Sequence, residues 1–193
     1  MRETPNFAGW RATILHREDA TTERLTRQLK LFGFHVHVQW TPLAADNLPD
    51  LILVDADQGW TGLLPWTDAR APRPLVALLG SEAPGRVAWA MDQGASAIIA
   101  KPLASSAVYP ALVMALAIHR ERQSVIDKIA HLEERVRMRP LVHAAVQKIS
   151  SVRRLDEEEA YRILRNCAMQ RRLSMEQVAA SIVGGAEPLP EAG

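Results

Sequence analysis

Five short strand-like segments constrain the fold of this 193-residue chain more than any other feature. Four are apolar runs, at residues 12–15, 51–54, 75–79 and 97–100, and the fifth, 34–40, alternates apolar residues with His35, His37 and Gln39. Runs that are apolar throughout, such as 51–54 and 75–79, are typical of strands covered on both faces in a parallel sheet. Helical patterns over 25–32 and 87–91 lie between some of the runs. The spacing therefore predicts an α/β fold in which strands and helices alternate.

Two motifs at the ends of these runs resemble the receiver domain of bacterial response regulators, which has a flavodoxin-like (CheY-like) fold. The stretch PDLILVDAD, residues 49–57, resembles the third strand of that domain and places Asp55 at its phosphoacceptor position. The stretch GASAIIAKP, residues 94–102, resembles the fifth strand and places Lys101 at the position of the family's lysine.

The remaining receiver chemistry is missing from the sequence. A receiver holds Mg²⁺ with an acidic pair after the first strand, but here that strand is followed by His16 and Arg17. The hydroxyl residue expected after the fourth strand is replaced by Leu79 or Gly80. We therefore predict a pseudo-receiver that is not controlled by phosphorylation. Its vestigial phosphoacceptor site is Asp55 with Lys101, and Arg17 is expected within reach of Asp55.

Two of the receiver's helices are also poorly represented in the sequence. The segment 41–49 contains two prolines and little helical pattern, so the second helix is expected to be short or absent. The segment 60–66, which contains Pro65, is an equally poor third helix.

After Pro102 the sequence predicts one long helix with a heptad pattern. Apolar residues recur at alternating spacings of four and three, interrupted only by Arg122, from Ala111 to Val136. This favours a parallel homodimer through a coiled coil, whose seam is Ala115, Ile118, Val125, Ile129, Leu132 and Val136. The alternative is a single helix that packs the same stripe on its own receiver. Pro140 is expected to end the helix.

Three short helices are predicted between residues 140 and 185. Apolar residues from Val142 to Val152 form one helical stripe, and Asp156 and Ser174 begin capping boxes for two more helices. Gly184 and Gly185 are expected to end the third helix. The second helix also has a basic face with an aromatic ring, made of Tyr161, Arg162, Arg165, Ala168, Arg171 and Arg172. An ordinary solvated face is the alternative.

The stretch AYRILRNCAMQRRLSMEQVAASIV, residues 160–183, resembles the ANTAR domain, an RNA-binding module of transcription antiterminators. The matching positions are Ala160 with Tyr161, Arg165, Ala168 with Met169, Arg171 or Arg172, and Ala179. The first helix departs from the family, which often has Ala-Lys-Gly where this chain has Ala145, Val146 and Gln147. Lys148 is the residue that could substitute in RNA binding.

The order of pseudo-receiver, coiled coil and ANTAR module resembles the AmiR-like antitermination regulators. That resemblance implies a positive regulator of a catabolic operon, of the amidase type, which binds leader mRNA hairpins. It also implies control through sequestration by an AmiC-like ligand-binding negative regulator. A DNA-binding atypical response regulator is the runner-up, and a protein-interaction scaffold is a third possibility.

Composition excludes several other classes of function. The histidines are scattered, the single cysteine is Cys167, and no glycine-rich phosphate loop occurs, so we expect no enzyme, cofactor or metal site. No signal peptide or membrane-spanning run is found, so a cytoplasmic protein with no membrane partner is expected. The predicted segments are a pseudo-receiver at 1–104, a coiled coil at 105–139, an ANTAR bundle at 140–185 and a disordered tail at 186–193.

Overall fold

The computed structural model describes residues 5–186, so most of the predicted tail lies outside the described residues. The chain forms two compact units, Met1–Gln123 and Ser124–Gly193. In chain order the elements are β1 (Arg11–Leu15), α1 (Ala20–Leu31), β2 (His35–Gln39), β3 (Leu51–Asp55), β4 (Leu75–Leu79), α2 (Pro84–Asp92), β5 (Ala97–Ala100), α3 (Ser105–Arg153), α4 (Glu157–Arg171) and α5 (Met175–Val183). The segment boundaries predicted from the sequence remain predictions.

The five strand-like segments form one parallel sheet in the order β2-β1-β3-β4-β5, which confirms the predicted architecture. Every residue of β3 and β4 is buried, because these strands have neighbours on both sides and covered faces. The carboxyl ends of all five strands lie at the same edge of the sheet. Asp55 and Lys101, which end β3 and follow β5, are therefore brought to one place.

No helix forms between β2 and β3 or between β3 and β4, as the prolines in those segments predicted. Tryptophans in these loops take over part of the packing. Trp40 and Trp60 meet edge to face with ring centroids 4.9 Å apart, and the indole N–H of Trp66 donates to the carbonyl of Gln93 at 3.0 Å. The loop before β4 also requires a glycine at position 94, because a Cβ there would lie only 2.5 Å from the carbonyl oxygen of Ala69 and because the φ of +84° is strained for other residues.

The first part of α3 packs on its own sheet, which corrects part of the predicted dimer seam. Ala115 is fully buried and Ile118 is half-buried, so Ala115 is not available to a second copy. Arg122, which interrupts the heptad pattern, donates from Nη1 to the carbonyl of Gly94 at 3.1 Å. The alternative interpretation, a stripe that packs on its own receiver, therefore holds for this part of the helix.

Helix α3 continues through Pro140 to Arg153, so the predicted break at Pro140 is wrong. A proline inside a helix removes the hydrogen bond to the carbonyl four residues earlier, here that of Val136. Both Val136 and Pro140 are exposed, so water can solvate that carbonyl. The first predicted helix of the bundle is consequently the C-terminal end of α3.

The end of α3 packs with α4 and α5 around a separate apolar core, composed of Ala145, Val146, Ile149, Ala160, Leu164, Cys167, Ala168, Val178, Ala179 and Ile182. The predicted caps are present. The carboxylate of Asp156 accepts from the amide of Glu159, and Ser174 forms a reciprocal capping box with Gln177. Arg172 ends α4 in the left-handed region, with a φ of 55°.

Candidate functional sites

The predicted phosphoacceptor site is closed by an ion pair. Asp55 is 1% exposed, and its Oδ1 lies 2.9 Å from Nζ of Lys101. The same ammonium lies 2.8 Å from Oδ2 of Asp57, a residue that sequence reasoning did not assign to the site. The amide of Asp57 donates to Oδ1 of Asp55. This hydrogen bond closes a local turn, which brings the Asp57 carboxylate back to the edge of the sheet.

Backbone amides of the loop after β4 complete the surroundings of Asp57. Its carboxylate accepts from the amides of Gly80 at 2.7 Å and Ser81 at 3.1 Å. Burial raises the pKa of Asp57, but the Lys101 hydrogen bond and the two amides lower it more, so its pKa lies below the usual value. Burial lowers the pKa of Lys101, but hydrogen bonds to Asp57 and Asp55 raise it more, so its pKa lies above the usual value.

His16, and not Arg17, lies against Asp55. Its Nε2 is 3.3 Å from Oδ2 of Asp55, and its Nδ1 is 2.6 Å from the carbonyl oxygen of Arg17. A carbonyl oxygen only accepts, so Nδ1 carries a proton. The ring is 5% exposed, whereas Arg17 is exposed. The expectation for Arg17 is therefore wrong, because the chain turns outward immediately after the buried end of β1.

These residues do not fit the Mg²⁺ site that the receiver fold implies. Lys101 and His16 lie against the two oxygens of Asp55, and the acidic pair that would follow β1 is absent. Asp19 is instead the N-cap of α1, where its carboxylate accepts from Thr21 and Thr22. Within residues 5–186 no group of three His, Cys, Asp or Glu residues is placed to hold a metal ion.

The second candidate site is the exposed face of α4. Tyr161 is 47% exposed, Arg162 and Arg165 are exposed on the same helix, and Arg172 is exposed at its C-cap. Ala168, which the sequence placed in the middle of this face, is 3% exposed and belongs to the bundle core, so that assignment is corrected. Position 168 follows Leu164 by one helical turn, which turns it inward.

Met169 takes the central position of this face instead. It is 60% exposed and follows Arg165 by four residues, a spacing from which its exposure could have been inferred. Arg162 lies 3.7 Å from Glu159, but both side chains are largely exposed, so this pair contributes little stability. The face therefore presents an aromatic ring, a thioether and several guanidinium groups.

Two other residues that were predicted to contact RNA are Arg171 and Lys148. Arg171 is exposed at the end of α4. The ammonium of Lys148 donates to the carbonyl of Ile182 at 2.8 Å, so it caps the last turn of α5 rather than joining the α4 face. This contact could not be inferred from the sequence, since it joins positions 34 residues apart.

A row of apolar side chains on the later part of α3 remains exposed. Val125, Ile129, Leu132 and Val136 are each half or more exposed, at spacings of four, three and four. These are the predicted seam positions that lie beyond the part of α3 packed on the sheet. None of the helices among residues 5–186 combines the length and apolarity needed to cross a lipid bilayer.

Comparisons with known proteins match both parts of the chain. The ANTAR domain family matches residues 130–183, and the AmiR N-terminal family matches residues 10–116. The transcriptional regulatory protein PdtaR, found in two strains of Mycobacterium tuberculosis, is 30% identical over 140 residues, which are 71% of this chain and 68% of PdtaR.

Among solved structures, the response regulator StyR is similar to 92% of this chain over its whole length, with a TM-score of 0.56 and 15% identity. At that identity the likeness shows the fold alone. The two family matches and the relative in Mycobacterium tuberculosis show the family of this chain. The chain belongs to the ANTAR-domain transcriptional regulators that carry an AmiR-type N-terminal domain.

Proposed function

We propose that this protein is an RNA-binding transcription antiterminator that recognises hairpins in leader mRNA. The observation that carries the proposal is the exposure of Tyr161 and Arg165 on α4 and of Arg172 at its C-cap, inside the segment that matches the ANTAR family. Residues 139–184 contain eight Lys and Arg against five Asp and Glu, a net charge of +3. That excess of positive charge favours a polyanionic partner.

The chemistry of the α4 face suits a folded RNA with unpaired bases. Tyrosine stacks on an unpaired base, and guanidinium groups fork onto phosphate oxygens. The acidic residues of α4, Glu157 to Glu159, are confined to its first turn, where the helix dipole favours them. The C-terminal half of α4 is therefore free of carboxylates that would repel a phosphate backbone.

Control by a partner protein, rather than by phosphate, is the second part of the proposal. Both oxygens of Asp55 already face cationic or imidazole groups of the chain, which leaves no place for a divalent cation beside the carboxylate. Another input must therefore replace phosphorylation. By resemblance to the AmiR-like regulators, that input is sequestration by an AmiC-like ligand-sensing protein, and the target is an amidase-type catabolic operon.

A homodimer is the third part of the proposal. The exposed apolar row from Val125 to Val136 has heptad spacing, and isolated surface apolar residues rarely recur in this way. A second copy of the chain would bury this row as the seam of a parallel coiled coil. The cytoplasm, where leader mRNA is transcribed in bacteria, is the expected location.

Substitutions on α4 test RNA binding directly. Arg165→Ala and Arg172→Gly should each weaken binding by about 1–3 kcal/mol and lower the salt dependence by about one phosphate contact. Arg172→Gly should not destabilise the protein, because glycine adopts the left-handed conformation more readily than arginine. Its loss of binding therefore cannot be attributed to unfolding.

The control is Arg27→Ala, which removes one exposed positive charge from α1. The probes are RNA hairpins with a constant stem and a randomised loop, selected on the wild-type protein, and the matching duplex DNA at the same salt concentration. Hairpin affinity that is unchanged in both α4 variants would remove this face from the RNA site. Equal or tighter binding to duplex DNA would favour the DNA-binding alternative.

A further inference from the structure

A groove of about 580 Å³ lies beside the α4 face, within the unit that contains the bundle. One wall is α3 from Leu132 to Val146, and the other is made by the N-terminal parts of α4 and α5. Leu132 and Val136 also belong to the proposed dimer seam, whereas the groove residues from Arg139 onward lie beyond it. A groove of this size is in the range of sites that bind small molecules or single residues of a larger ligand. Nothing in the family match assigns it a ligand.

Apolar side chains and one aromatic ring make part of the groove lining. Val142, Val146 and Met175 line it together with the ring of Tyr161. Tyr161 also begins the exposed row on α4, so the groove and the arginine face share a residue. A flat aromatic ligand can stack on the tyrosine ring and contact the thioether of the methionine.

Charged groups of both signs line the same groove. Arg139 has no ion-pair partner among residues 5–186, whereas Nε of Arg135 lies 3.6 Å from Oε1 of Glu176. Glu157 and Glu176 supply carboxylates. A hydrogen bond from its own amide lowers the pKa of Glu176, burial raises it, and Ser174 and Arg135 lower it further, so the net pKa lies below the usual value.

This combination favours a nucleobase with its attached phosphate over a free phosphate. Glu176 is already paired with Arg135, and Glu157 can accept a hydrogen bond from the amino group of a base edge. The unpaired guanidinium of Arg139 can meet the phosphate of the same nucleotide.

We propose that this groove binds one unpaired, splayed-out base of the RNA, stacked on Tyr161 and read by Glu157 at an exocyclic amino group. The inference rests on the proposed RNA binding, and it adds the place on the protein at which one loop nucleotide is recognised. The base is one that carries an amino group, namely adenine, guanine or cytosine, rather than uracil.

Two matched pairs of variants test the groove in the full-length protein. Val142→Phe fills it, and Val152→Phe places the same ring on α3 at an exposed position that does not line it. Glu157→Gln removes the acceptor charge, and Glu158→Gln removes the neighbouring charge from the same helical turn. The probes are the selected constant-stem hairpin and a series in which each loop nucleotide in turn is abasic or uridine.

Wild-type protein should lose affinity roughly tenfold for a hairpin that is abasic at one loop position, the value typical of one stacked base. Val142→Phe should bind the intact hairpin roughly tenfold more weakly and should be insensitive to that abasic change, while Val152→Phe behaves as wild type. Glu157→Gln should lose the preference over uridine at the same position, and Glu158→Gln should keep it.

The outcomes separate this inference from the proposed function. If no hairpin is bound more tightly than a loopless duplex, RNA hairpin recognition itself is wrong. If hairpins are bound but Val142→Phe and Glu157→Gln respond to every loop change as wild type does, the groove is not a base site. If circular dichroism shows that Val142→Phe is unfolded, the comparison of Glu157→Gln with Glu158→Gln decides whether the groove is a base site.

Discussion

The ammonium of Lys101 is shared between two carboxylates, those of Asp55 and Asp57, at 2.9 and 2.8 Å. Hydrogen bonds between ionised groups are stronger than neutral ones, and here they are largely shielded from water. The loop after β4 adds two backbone donors to Asp57. At the scale of single residues, Asp55, Asp57 and Lys101 form an ion-pair network that joins three segments of the receiver.

Asp57→Asn tests this network. It should lower the free energy of unfolding by about 1–3 kcal/mol at pH 7, because Lys101 and two amides lose a charged partner. The pKa of Asp57 is depressed by folding, so its contribution is present above the unfolded value near 3.9 and is lost as pH falls through the folded value. Urea unfolding at pH 7 and pH 3 should show a smaller difference between variant and wild type at pH 3.

The control for this measurement is Asp46→Asn, which removes an exposed carboxylate from the same unit. It should change stability by less than about 0.5 kcal/mol at either pH. A difference between Asp57→Asn and wild type that is the same at both pH values would contradict an ionised Asp57 as the source of stability.

Sequence reasoning found Asp55 and Lys101 because strand ends in a parallel sheet converge. It did not find Asp57 or His16, because the direction of a side chain just beyond a strand depends on the local turn. The motif Asp-Ala-Asp was visible, and an Asp that accepts from the amide two residues later is a common turn. That signal could have placed Asp57 beside Asp55.

At the scale of elements, the apolar heptad positions of helix α3 lie in two different environments. Up to Leu116 its apolar residues pack on the sheet, and from Val125 to Val136 they are exposed. Heptad spacing predicts an apolar stripe but not the surface that covers it, so the sequence could not show where the helix leaves its own receiver. The continuation through Pro140 was missed for a related reason, since solvent exposure of the affected carbonyl is a tertiary property.

The double variant Val125→Asp with Ile129→Asp tests the proposed seam at two positions that do not line the groove. Two charges per chain buried without partners should raise the dimer dissociation constant at least about 100-fold. Sedimentation of the full chain at micromolar concentration should show a dimer for wild type and a monomer for the variant. Both side chains are exposed in a single chain, so the melting temperature of the receiver should not change.

His131→Asp provides the matched control, because it adds an acidic residue to the same turn of α3 outside the heptad seam. It should remain dimeric. Wild-type protein that sediments as a monomer at these concentrations would remove the coiled coil from the proposal.

At the scale of the whole molecule, the chain combines a receiver fold that lacks its cation site with a small bundle that presents arginines. The fold could be predicted almost completely from apolar spacing, caps and the family resemblance. The identities of the proposed RNA, inducer and partner could not be predicted, because a sequence describes the surface of its own chain and not the molecules that bind to it. The proposed coiled-coil dimer would carry two copies of the α4 face.

Two weak sites on one dimer should act together on an RNA with two hairpins. The second hairpin then binds at the effective concentration set by the linkage, which raises affinity by roughly 10²–10⁴ without any new contact. Filter binding or fluorescence anisotropy should therefore show wild-type protein binding a tandem hairpin far more tightly than a single one. The Val125→Asp, Ile129→Asp variant should bind single and tandem hairpins alike while keeping the wild-type affinity for one, because neither residue lines the groove. If the monomeric variant retains the tandem advantage, or if wild type never shows it over a series of spacer lengths between hairpins, then recognition does not depend on a pair of α4 faces.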